Sequence, residues 1–179
     1  IGKKIPYDRE LKGNVRTARQ AVAIDERRDP YRPRLWVTPH PRLKQIWFAG
    51  GHSDIGGSYS GHESGLGNIT LHWMAREAER AGLRLREDLL RRPDFLPNAL
   101  APIHDQVEDH PLWKLLGTGR RPIEDGALLH ESVRERREAL GADYSPKNLH
   151  EFYEKQPVPI YEKDTVQAPG AEQPSRLAA

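Results

Sequence analysis

The chain has 179 residues with 28 basic and 26 acidic side chains, a net charge of +2, and a hydrophobic content of 36%. Length and composition fit one loop-rich domain with an incomplete core, and the even interleaving of charge argues against a nucleic-acid-binding surface, which needs a one-sided basic stripe. The absence of cysteine excludes disulfides, thiolate nucleophiles and thiolate metal sites, and the sequence contains no apolar run long enough to cross a bilayer as a helix.

From the N-terminus, Asn14 reads as a helix cap, with Val15, Ala18, Val22 and Asp25 following on one helical face. Asp25 thus ends an apolar stripe, where a carboxylate needs a partner such as Arg27 or Arg28 or else serves as an acid that orients a histidine. Pro30, Pro33, Pro39 and Pro41 mark an extended connection. Ile46-Trp47-Phe48-Ala49 is an unbroken apolar run, the signature of a short strand buried on both faces in a parallel sheet. Residues 50–67 then hold seven glycines, which predicts a tight loop beside a ligand site.

A helix is expected from Asn68, with Ile69, Trp73 and Ala81 on its apolar side and Gly82 at its left-handed C-terminal cap. Strand, glycine loop and helix in that order place a candidate site outside the carboxyl end of the strand. Further on, Leu112 to Leu116 form a short apolar piece, a turn spans 117–122, and a helix is expected over 127–140 with Leu129, Val133 and Leu140 inward. Four prolines among small and polar residues mark 156–179 as a flexible tail or linker, leaving 1–155 as the folded part.

The densest chemistry lies in Gly51-His52-Ser53-Asp54-Ile55-Gly56-Gly57. A histidine near neutral pKa exchanges a hydroxyl proton, and a carboxylate fixes its tautomer, so His52 and Asp54 are catalytic candidates, with Asp25 a further acid. Bracing of the loop backbone is the alternative role for both. A divalent metal held by His52, Asp54, His62 and Glu63 is another alternative, although no H-E-x-x-H spacing is present. His130, beside Ser132 at a helix start, reads as a capping residue. Ser53 and Ser58 both lack the G-x-S-x-G spacing that a strained nucleophile turn requires.

The run from Ile46 to Gly57, with Asn68 to Met74, Ala21 to Arg28, Ile103-His104-Asp105, Leu129 to Val133 and Tyr144 to Leu149, resembles the Tle-type phospholipase effectors of bacterial type VI secretion. The blocks keep their order across residues 12–150. That resemblance implies an α/β fold, the C-terminal portion of an α/β-hydrolase-like domain with a few strands of a mostly parallel sheet and several helices. It also implies a cofactor-free serine ester hydrolase acting on phospholipid, with a Ser, Asp and His triad for which His52 is the first candidate as base and Asp54 the next candidate residue, the acid that serves His52 being left open. The nucleophile segment is missing and the first residue is Ile, so the chain is expected to be an inactive fragment of a longer product.

A split or degenerate module that binds a partner or a membrane surface is the non-catalytic alternative. Implied partners are an ester substrate, a membrane surface, and a secretion-apparatus or immunity protein. The residues leave localisation open, and the resemblance implies a soluble protein held in the cytoplasm before secretion into a target cell.

Overall fold

A computed structural model describes residues 9–36 and 40–163. Its centre is a four-stranded, all-parallel sheet in the order β1 (Ala18–Ala23), β2 (Leu43–Phe48), β3 (Leu128–His130) and β4 (Ile160–Glu162). Between β2 and β3 run α1 (His52–Gly56), α2 (Gly65–Arg80), α3 (Glu87–Leu90) and α4 (Gln106–Asp109). Between β3 and β4 run α5 (Glu131–Leu140) and α6 (Lys147–Lys155). A few parallel strands with several helices is the α/β architecture expected from the sequence.

Alternation along the strands divides the core in two. Val22, Ile24 and Trp47 pack with Leu129, Val133, Leu149 and Phe152, so α5 and α6 cover that face. Ile46 and Phe48 pack instead with Leu66, Ile69 and Trp73 of α2. Helices on both faces explain why the carboxyl-terminal half of β2, Ile46 to Phe48, reads as an unbroken apolar run: there neither face needs polar side chains.

Four sequence expectations change. The helix expected from Asn14 is absent, and Ala18–Ala23 is β1, paired in register with Leu43–Phe48. The helical spacing of Ala18, Val22 and Asp25 is coincidental, because a buried Val-Ala-Ile segment beside a ready parallel neighbour gains more from sheet pairing than from local propensity. The glycine loop carries α1 within it, and α2 begins three residues earlier than Asn68. The helix expected over 127–140 is a strand turning at His130 into α5. Finally, Ile160–Glu162, inside the expected tail, pairs with β3 as β4. Residues 164–179 of that tail, and Pro39, lie outside the described residues.

Gly82 does sit just past the end of α2 with φ 101°, where side chains are strained. Glu77 anchors the other side of that helix. Its side chain is fully enclosed and accepts from Arg19 on β1, Lys44 on β2 and Arg80. The helix that comes after the site loop is thereby tied to the two strands that precede it.

Candidate active site

Parallel strands end on one side of a sheet, so the segments leaving β1 and β2 emerge at a common edge. After β2 the chain turns at Gly50, whose φ of 123° suits glycine, and enters α1. A Cβ at Gly50 would lie 2.9 Å from the Cβ of Asp54, so the turn packs directly on that residue. Asp54 is 2% exposed. Its Oδ2 accepts from the Gly51 amide at 2.8 Å, half of a capping box at the start of α1.

The rest of Asp54 is taken by His104, fifty residues along the chain. Oδ2 also accepts from the His104 amide at 3.2 Å, and Oδ1 lies 2.7 Å from His104 Nδ1. A buried carboxylate that holds both the backbone and the ring of one histidine fixes its orientation, and the bond assigns the proton to Nδ1. The other nitrogen, Nε2, is 3.6 Å from Oε1 of Glu63, whose side chain is 43% exposed. Tyr59 stacks on the imidazole with ring centroids 3.6 Å apart, and Gln106 donates to the Tyr59 hydroxyl at 3.1 Å. Burial lowers the His104 pKa, while the hydrogen bond and charge of Asp54, aided by Glu63, outweigh it, so the net displacement is upward from 6.5.

The segment that carries His104 is itself tethered. Asn98 donates its amide to Gly65 at 3.1 Å, and buried Arg136 of α5 donates to the carbonyls of Ala99 and Ala101, each at 2.7 Å. Downstream, Asp105 caps α4 through the Val107 amide and pairs with Arg27.

The residues nominated from sequence separate. Asp54 lies at the centre of the hydrogen-bonded site. His52 occupies the exposed first turn of α1, its ring edge-on to Tyr31 at 5.0 Å, while its amide donates to Glu26 at 3.1 Å. Positions two apart in a helix diverge by about 200°, so Asp54 faces inward while His52 faces out. Asp25, close after β1, accepts from the Gly50 amide at 2.7 Å and from the Tyr144 hydroxyl at 3.0 Å. Burial raises its pKa to about 6, against the opposing hydrogen bonds from Gly50 and Tyr144.

The partner expected for Asp25 belongs to its neighbour: Glu26 forms the buried ion pair with Arg28. His62 lies on the exposed turn at 61–63, and among the described residues no three His, Asp or Glu side chains are arranged to hold a metal ion. His130 accepts from the Ser132 amide at 3.2 Å and caps α5 while stacked on Phe48. Among the described residues no helix is long and apolar enough to span a membrane.

Ile103-His104-Asp105 enters the sequence reading only as part of a resemblance, with no role for His104. No periodicity or spacing connects it to Asp54. A loop-borne histidine downstream of the glycine cluster is the one available signal, and it is a weak one.

Residues 2–77 match the family model described as T6SS, Phospholipase effector Tle1-like, catalytic domain. That segment contains Asp25, His52 and Asp54 and stops before His104. The chain is also 31% identical over 108 residues to a Saccharomyces cerevisiae protein described as uncharacterized, YEL023C, an overlap of 56% of this chain. The chain spans 16% of that relative's length. No solved structure matches.

Proposed function

From the match of residues 2–77 to the Tle1-like phospholipase effector catalytic-domain model, we propose that this chain contributes the acid and base of a serine-dependent lipid-ester hydrolase, with His104 as base and Asp54 as its orienting acid. The observation that carries the reading is the 2.7 Å bond between His104 Nδ1 and Asp54 Oδ1 at the carboxyl edge of a parallel sheet. With Nδ1 protonated toward the carboxylate, Nε2 is left as a proton acceptor.

The nucleophile comes from sequence outside this chain. A serine hydroxyl there gives its proton to Nε2 as its oxygen bonds the ester carbonyl carbon. The imidazolium formed is stabilised by Asp54 and returns the proton to the leaving alcohol oxygen as the ester C–O bond breaks. Glu63 stands on the approach to Nε2 and adds negative charge that also favours imidazolium. The substrate is a phospholipid ester, and the chain on its own does not hydrolyse it.

The test is hydrolysis of a fluorogenic phospholipid by the longer protein that includes the preceding sequence. His104→Ala lowers kcat by roughly 10²–10⁴-fold, the usual worth of a positioned general base. His52→Ala stays within about tenfold of wild type, because its ring is outside the bonded site. Equal activity of His104→Ala and wild type, or abolition by His52→Ala alone, overturns the assignment.

A further inference from the structure

The two acidic residues just past β1 do something that the acid and base roles do not require. Three successive amides open the turn into α1, and each donates to a different carboxylate: Gly50 to Asp25 at 2.7 Å, Gly51 to Asp54 at 2.8 Å and His52 to Glu26 at 3.1 Å. Asp25 grips Gly50 twice, because its own amide also donates to the Gly50 carbonyl at 3.0 Å. The turn held this way is the one that packs on Asp54, with less than a methyl group's clearance at Gly50.

We infer that Asp25 is a positioning residue: its carboxylate latches the end of β1 to the Gly50 turn and so sets Asp54 against His104. This rests on the reading of Asp54 and His104 as the working pair. Asp25 acts on that pair through the Gly50–Gly51 peptide and the first turn of α1.

The surroundings are built for that task. The Tyr144 hydroxyl donates to the same Oδ2 that receives the Gly50 amide, at 3.0 Å, and so fixes the rotamer. Tyr144 is 6% exposed, and the Arg136 guanidinium lies 4.9 Å from its ring centroid. Arg136 favours the ionised form of Asp25, and the Asp54 charge opposes it. The groups facing Asp25 are therefore Tyr144 from the turn after α5, Arg136 from α5 and Asp54 from α1. Arg136 also holds the 99–101 carbonyls that lead into His104, so one cation steadies both halves of the site.

Two substitutions separate the hydrogen bond from the charge. Asp25→Asn keeps an oxygen acceptor at the same reach and removes the charge, whereas Asp25→Glu keeps the charge and moves the acceptor by one methylene. The readout is the His104 ring in this chain, followed by NMR as its titration and as the low-field Nδ1 proton in the bond to Asp54.

Positioning predicts that Asp25→Asn keeps the low-field proton and titrates within about half a pH unit of wild type, while Asp25→Glu loses the proton and titrates about one unit lower. A charge effect alone predicts the reverse order, and that result, or two variants with identical shifts, overturns the inference. If Asp25→Glu does not fold, Asp25→Asn decides alone, since loss of its low-field proton also overturns it. No ester or nucleophile is needed, so this outcome is independent of the lipid-hydrolysis test.

Discussion

Replacing Glu77 by glutamine probes how the helix behind the site is fastened. The carboxylate is 0% exposed and accepts from Arg19, 17% exposed, Lys44, 32% exposed, and Arg80, 42% exposed. Breaking a buried ion pair by removing one partner costs about 3–5 kcal/mol, because the other charge is stranded. Here the stranding is partial. Lys44 keeps Glu162 at 2.7 Å, and Arg80 reaches water, so their contributions fall to about 0–1 kcal/mol each. Arg19 keeps carbonyl acceptors at Ala18 and Arg42, at 2.8 and 2.9 Å, but loses its only described carboxylate.

Glutamine preserves volume and one acceptor, which leaves an expected loss of about 2–3 kcal/mol for Glu77→Gln at pH 7. Urea unfolding with an unchanged m-value measures it. The pH dependence supplies an independent check. Burial opposes the charge on Glu77, yet the hydrogen bonds from Arg19, Lys44 and Arg80 hold its pKa below the ordinary 4.5. A depressed carboxyl pKa gives stability that is present above the unfolded value and lost as pH falls through the folded one. The gap between wild type and Glu77→Gln therefore narrows below about pH 4. A gap under about 0.5 kcal/mol at pH 7, or one undiminished at about pH 3, would refute the reasoning.

Two further substitutions test the site's packing and charge. At Gly67 a Cβ would meet the Asp54 carbonyl oxygen at 2.9 Å and the Gly57 Cα at 3.1 Å, both backbone, so Gly67→Ala must lift α2 from α1. A loss of about 1–3 kcal/mol is expected, seen as a Tm lower by roughly 3–10 °C, while Gly56→Ala, with nothing within 4 Å, stays near wild type. The raised His104 pKa means that its ion pair contributes stability fully below the unfolded value of 6.5, lost as pH rises through the folded one. His104→Gln is accordingly less stable than wild type at about pH 5.5 and approaches it at about pH 9, in chemical denaturation at the two pH values; a constant difference contradicts the pairing.

Some of this molecule was legible along the chain. The unbroken run Ile46 to Ala49 announced a strand covered on both faces, since such a run has no polar face to expose. The glycine cluster drew attention to the turn after β2, and three of its seven members, Gly50, Gly57 and Gly61, adopt the positive φ that favours glycine. Asp54, nominated from its place just past that strand, is the carboxylate that His104 and the Gly51 amide share.

Tertiary structure decided the rest, for a common reason: the information lay in partners distant in sequence. Ala18–Ala23 became a strand because β2 offered a parallel ladder, and Leu128–His130 because it reached the far side of β2. Ile160–Glu162 joined the sheet through β3, although its surroundings read as a tail. The imidazole that meets Asp54 is His104 rather than His52, because α1 turns neighbouring side chains apart while the 98–104 segment folds back onto the turn. Local pattern identified which residue types could do chemistry; only the path of the chain between residues 54 and 104 decided which of them meet.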